Sequence, residues 1–229
     1  MANELKTAQV SEEMAKKFAT EKETPYTKWV KDQGLEIESA IYQLDLHTVA
    51  LKDWPARGGK GVFLNHDASR TSNDAYVCEI APGGELAPRR QLFEEMVYVL
   101  DGRGSTSVWN DKGAKITFEW KKGAIFAIPL NTSHQHFNAS GKEPARFVSV
   151  TNAPAIINAF GDLEFVFGTK YDFRDRFSGE PDYFANKGEQ KGLLLDTNFV
   201  ADAINLPLIA ARSAARGAAT SASTWPRAR

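Results

Sequence analysis

Cysteine is almost absent from this chain. Cys78 is the single one, so no internal disulfide can form, a usage that fits a reducing compartment. An excess of one charge is also missing: 28 Lys and Arg face 29 Asp and Glu, for a net charge of −1. That balance argues against a nucleic-acid binder working by bulk charge. No stretch approaches 18 uninterrupted apolar residues, so no membrane-spanning helix is expected. The opening Met1-Ala2-Asn3-Glu4-Leu5-Lys6 has no basic start followed by an apolar run, the pattern of a secretory signal. The expectation is a cytoplasmic protein without nucleic-acid or membrane partners. What the chain does have is aromatic bulk. Fourteen Phe and five Trp in 229 residues, within a hydrophobic fraction of 42%, supply a sizeable core for one large domain with appendages.

The chain changes texture along its length. Residues 1–40 read as an N-terminal helical arm. Ser11, followed by Glu12, Glu13 and Met14, marks a helix start that runs through Phe18 and fades near Glu23. Tyr26, Trp29 and Val30 form a second apolar patch. Residues 41–155 read as a barrel, because short β-prone runs alternate with turns. Tyr76, Cys78 and Ile80 alternate against Val77 and Glu79, Glu95–Leu100 ends at Asp101-Gly102, and Ile116, Phe118 and Trp120 alternate against Lys115, Thr117 and Glu119. Ser105–Trp109, Ala124–Ile128, His134–Asn138 and Phe147–Thr151 complete an antiparallel sandwich or barrel. Residues 156–205 read as an irregular, aromatic-rich extension packed on the barrel, with a short helix at Ala153–Phe160 leading in and a short strand at Phe165–Phe167. Residues 206–229 read as an Ala/Ser/Arg-rich tail, disordered or loosely helical, with Arg212, Arg216, Arg227 and Arg229 and no acid.

Two stretches carry the functional reading. One runs from Gly83 through Arg89, Arg90, Gln91, Glu94 and Glu95 to Gly102; the other runs from Gly123 through Pro129, Asn131, His134 and His136 to Asn138. Here the chain resembles the cupin superfamily, whose two motifs are G-x5-H-x-H-x3/4-E-x6-G and G-x5-P-x-G-x2-H-x3-N. Gly83, Glu95 and Gly102 match the first motif, and Gly123, Pro129, His134 and Asn138 match the second. The first motif's two histidine positions hold Arg89 and Gln91, and the second motif's middle glycine is Asn131. The wording is also similar to the N-terminal half of two-domain bicupins. The resemblance implies an all-β fold: a double-stranded β-helix, or jelly-roll, with helical additions at both ends. It also implies a homodimer, since members often pair through barrel faces or exchanged strands.

Alternation across a strand puts Arg89, Gln91, Phe93 and Glu95 on one face, and His134, His136 and Asn138 on one face. The resemblance implies a metal site of three imidazoles and a carboxylate, suited to Fe, Mn, Ni or Zn. Arginine cannot ligate, because its guanidinium stays protonated without a lone pair to offer. The metal-ligand candidates are therefore Gln91, Glu95, His134 and His136, and the substrate-binding candidates are Arg89, Gln91, Glu95 and His134. Glu95 reads either as one half of a metal-free ion pair with Arg89 or as a ligand or general base. Arg89 and Arg90 can also grip an anionic substrate, with Arg90 equally a rim charge. Glu94 reads as a surface charge, His47 and His66 as structural, Cys78 as a buried apolar residue, and Asn138 as the closure of a turn.

Three functions follow. The first is a cupin that binds a small molecule, anions included, over a degenerate metal site, without assured catalysis or cofactor. The second is a metal-dependent dioxygenase or isomerase built on Glu95, His134 and His136. The third is a non-catalytic subunit assembled with a metal-bearing partner.

Overall fold

The computed structural model describes residues 23–38, 42–43, 45–66, 68–185, 188–191 and 194–206. The helix expected from Ser11 and the tail beyond Leu206 lie outside the described residues.

Helix α1 (Pro25–Asp32) starts where the sequence supplies a complete cap. Thr24 and Thr27 form a reciprocal capping box, and Pro25 occupies the first turn, where its missing N–H costs nothing. Its inward stripe is Tyr26, Trp29 and Val30. Trp29 stacks on Phe167 at 5.5 Å and meets Phe63 edge-on at 5.4 Å. Tyr26 donates its hydroxyl to Asp74 Oδ2 at 2.7 Å.

The strands are β1 (Ile37–Glu38), β2 (Lys52–Trp54), β3 (Gly59–Leu64), β4 (Asp74–Ile80), β5 (Glu95–Asp101), β6 (Arg103–Trp109), β7 (Lys115–Lys121), β8 (Ile125–Ile128), β9 (Ser133–Asn138) and β10 (Ala145–Thr151). Helices α2 (Ala153–Phe160) and α3 (Leu163–Gly168) follow, then β11 (Glu189–Lys191), β12 (Leu194–Asp196) and β13 (Phe199–Val200). One sheet runs β1-β3-β4-β10-β5-β8-β13, with β2 also on β3, and a three-stranded sheet runs β7-β6-β9. The two sheets share one core. Phe63, Tyr76, Ile80, Val97, Phe126 and Phe147 of the first meet Val108, Phe118 and Trp120 of the second. The outer face of the first sheet carries Val62, Val77, Leu100 and Val148, covered by Leu46, Val49 and Leu51. This is the expected all-β jelly-roll barrel with helices added to it. No helix among the described residues is long and apolar enough to cross a membrane.

Turns fall where the sequence signals them. Gly102 and Gly123 both have φ of +87°, a conformation costly for other residues. Asn131 stands in for the motif's middle glycine and takes φ +56° itself, as asparagine tolerates better than most residues. Its Nδ2 also donates to the carbonyls of Thr169 at 3.2 Å and Tyr171 at 2.8 Å, fastening the chain after α3 to the barrel.

Two features differ from the sequence reading. Phe165–Phe167 is the middle of α3, not a strand: Asp162 caps this helix by accepting from the Phe165 N–H at 2.9 Å, and a buried Val166 flanked by aromatics imitates a strand's apolar run. The extension also contributes β13, which pairs with β8 and seats Phe199 against Phe118 at 5.5 Å.

Gly104 is set by packing. It lies across from Asn138 and Trp120, and an added Cβ would sit 2.1 Å from the Phe137 carbonyl oxygen and 2.4 Å from the Trp120 ring. Gly104→Ala is expected to destabilise the fold by about 3 kcal/mol or more. Gly141→Ala, where nothing lies within 4 Å, is expected to change stability by about 0.5 kcal/mol or less. Urea unfolding of the two variants checks the contrast.

Candidate functional site in the barrel interior

The alternation of β9 sends His134, His136 and Asn138 inward, and all three are buried. Asn138 closes the neighbouring turns: its Nδ2 reaches the carbonyls of Ala81 at 3.0 Å and Glu143 at 2.8 Å. Ahead of β5, the chain runs alongside β9. The Arg89 N–H donates to the His134 carbonyl at 3.0 Å, and the His134 N–H donates back at 2.9 Å. This bridge, with a second between Glu85 and Phe137, fixes Arg89 beside His134 and sends Arg89, Gln91, Phe93 and Glu95 to the interior.

Glu95 is the centre of the site, with no side-chain exposure. Its Oε1 accepts from the Tyr76 hydroxyl and from Ser149 Oγ at 2.8 Å. Its Oε2 accepts from Gln91 Nε2 at 2.5 Å and Arg89 Nη2 at 3.2 Å. Arg89 Nε donates to Gln91 Oε1, closing a ring of three side chains. The Arg89 guanidinium also lies over the rings of Tyr76 and Phe93, at 5.5 and 5.4 Å. Burial pushes the Glu95 carboxyl up, but Arg89, His134 and the Tyr76 hydroxyl outweigh it and hold the group well below the usual carboxylate range. Burial beside this anion pushes the Tyr76 hydroxyl far up, so it stays a neutral donor.

Both histidines are kept neutral by burial. His134 is lowered to about 3 against the opposing pull of Glu95, and His136 is lowered well below its ordinary value. His134 Nε2 lies 3.8 Å from Glu95 Oε2. His136 Nδ1 lies 2.7 Å from Thr106 Oγ1, which already accepts from Trp120 Nε1 at 2.8 Å. The buried Thr106 hydroxyl needs an acceptor of its own, and His136 Nδ1 is the one it reaches. By this hydrogen-bond assignment the imidazole proton sits on Nε2, facing the interior. Neither Nε2 has a hydrogen-bond partner among the described residues. Ligand atoms of Glu95, His134 and His136 all lie within 4.8 Å of one another, a group that could hold a metal ion.

The two motif stretches therefore converge on one interior, and residues 76–151 match the family model for the cupin domain. Over those residues the barrel is similar to a cupin domain. Solved structures similar to it include the formate complex of Lactobacillus farciminis oxalate decarboxylase, at 23% identity and TM-score 0.41, covering 48% of this chain and 33% of that one. A Bacillus subtilis oxalate decarboxylase studied for its Mn(II) centers is 15% identical with TM-score 0.39, covering 48% of this chain and 28% of that one. The matched region thus spans about a third or less of these enzymes' length. No curated protein matches the chain.

In this barrel, Arg89, Gln91, Glu95, His134 and His136 all meet in one place. Gln91 is present there as a bridge between Arg89 and Glu95, with its oxygen occupied by the guanidinium. Arg90 points elsewhere: it pairs with Asp111 at 2.8 Å and Asp172 at 3.7 Å on the rim. Glu94 is exposed, His47 pairs with Asp101, and Cys78 is fully buried, its thiol pushed up to about 12 by desolvation. Sequence reasoning missed Arg57, Ser149 and Thr106 as parts of the site, and took Tyr76 only as a member of an alternating run. For Ser149 and Tyr76 the signal was available, since each alternates onto the inner face of its strand.

The buried titratable groups predict a pH profile. The unfolded chain takes up protons on two histidines below about pH 6.5, which the folded barrel refuses, so stability falls as pH drops. Asp74, raised to about 6 by burial despite its bonds to Thr151 and Tyr26, opposes this by one proton between its ordinary value and about pH 6. The net expectation near pH 5 is a loss of about 1 kcal/mol per pH unit. Asp74→Asn removes the opposing group and should roughly double that slope. Urea unfolding between pH 4.5 and 7 measures both, and a flat wild-type profile would contradict neutral buried histidines.

Proposed function

We propose that this cupin binds a small molecule in its barrel, on a floor where protein donors take the place of a metal. One observation carries the reading: both oxygens of Glu95 are already filled by Tyr76, Ser149, Gln91 and Arg89. A carboxylate offers about four lone-pair sites, and the four donors use them. The guanidinium supplies the compensating charge that a buried carboxylate requires. A cation at Oε2 would have to displace Gln91 and sit against Arg89, and it would need His136 to move its proton from Nε2.

A second reading, a metal-dependent enzyme of dioxygenase or isomerase type, is favoured by the convergence of Glu95, His134 and His136 within 4.8 Å. Two histidines and a carboxylate are a recurrent ligand set for Fe(II), and a metal there would supply Lewis acidity or oxygen activation. The donors around Glu95 fit this poorly as they stand.

Metal analysis of protein purified without chelator separates the two readings. The expected result is substoichiometric Fe, Mn, Ni and Zn, with no rise in melting temperature on adding their salts. One equivalent of a transition metal that disappears in His134→Ala would overturn the proposal. The double variant Arg89→His/Gln91→His places imidazoles at both departed motif positions. It is expected to gain one equivalent of Zn(II) or Mn(II) and a metal-dependent rise in melting temperature.

A further inference from the structure

The interior holds a second guanidinium, and it has no carboxylate of its own. Arg57 sits in the turn between β2 and β3, where Trp54 pairs with Gly59, and is 4% exposed. Its carbonyl accepts from the Ala87 N–H at 2.7 Å, and its Nη1 donates back to the Ala87 carbonyl at 2.5 Å. The side chain is therefore fastened to the segment that leads into Arg89. Its remaining donors, Nε and Nη2, are buried and have no partner among the described residues. These two belong to one edge of the guanidinium: the Nε–H and the Nη2 hydrogens on that side run parallel, at the spacing of two carboxylate oxygens.

The surroundings supply no anion for this edge. The Arg57 charge is weakened by burial and by Arg89, and is felt by Tyr76, Cys78 and Glu95 as well as by both histidines. Glu95 acts on it only through space, since both its oxygens are already taken by other donors. Asp74, farther along β4, holds Tyr26 and Thr151. Arg89, Arg90, Arg146 and Arg176 each have a carboxylate within 4 Å, whereas Arg57 has no ion pair among the described residues. A buried, unpaired guanidinium with an idle donor edge is unfavourable for folding alone, and such departures concentrate at functional sites. The inward Nε2 of His136, carrying its proton, adds a donor to the same interior.

We infer that Arg57 is the recognition residue for a compact monocarboxylate, taking its two oxygens with Nε and Nη2 inside the barrel. This rests on the reading of the interior as a small-molecule site and narrows the ligand to an organic acid. One carboxylate is the number required, because Arg89 is already matched by Glu95.

The test uses the full chain labelled with 15N, with the Arg57 Nε–H assigned by triple-resonance NMR. Sodium acetate, propionate and benzoate are titrated against acetamide, propionamide, benzamide and inorganic phosphate at constant ionic strength. The expected result is a saturable downfield shift of the Arg57 Nε–H with at least one carboxylate and none with its amide or with phosphate. Arg57→Lys keeps a donor for the Ala87 carbonyl, and it should weaken that carboxylate roughly tenfold or more, read from the backbone amides of Ala87 and His134. Carboxylates that leave the Nε–H unmoved overturn the inference, as does a response to phosphate alone. If the amides perturb the interior backbone while the carboxylates spare Arg57, the small-molecule site stands and the inference fails. If neither series perturbs the interior, both fall.

Discussion

The interior of this barrel is organised by the neutralisation of one carboxylate. The Glu95 side chain has no exposed surface, and a charge in that position survives only when opposite charge and hydrogen-bond donors surround it. Its four donors come from β4, from β10 and from the segment ahead of β5. The network therefore crosses three neighbouring parts of the chain and depends on their register. Removing one member of a buried ion pair typically costs about 3–5 kcal/mol, a large share of the marginal stability of a domain this size. The aromatic rings of Tyr76 and Phe93 hold the guanidinium in place from the side, so packing and electrostatics select the same rotamer.

This arrangement changes what the interior can offer. An imidazole with a free lone pair accepts a proton or a metal, whereas a guanidinium and an amide nitrogen only donate. With Arg89, Gln91 and Arg57 around Glu95, the lining is rich in hydrogen-bond donors. His134 and His136 remain, buried and neutral, with their Nε2 atoms facing the same space.

Much of the barrel was readable before any coordinates. The strands from Asp74 to Thr151 fall within two residues of the alternating runs, because glycine turns punctuate them and because the inner and outer faces differ in polarity. The gathering of Arg89, Gln91, Glu95, His134 and His136 was legible for the same reason: strand alternation fixes which side chains share a face. Arg57 was not legible. It lies in a tight turn, outside any periodic pattern, and reaches the interior only because the β2–β3 hairpin folds onto Ala87. Helix α3 was misread because a run of three apolar residues has no decisive period, and its cap, Asp162, lies outside the run. Thr106 was unremarkable in sequence; its role comes from standing between Trp120 and His136 on neighbouring strands.

One of the two shortest strands in the main sheet, β13, has an effect out of proportion to its length. Without β13, the backbone of Ile125 and Phe126 would present unpaired N–H and C=O groups along an open border, the kind of template on which separate molecules stack edge to edge. Two residues, Phe199 and Val200, occupy that border, and Phe199 is locked there by rings from both sheets. The late extension thus acts as a selvedge, shielding the barrel from aggregation as well as filling its flank.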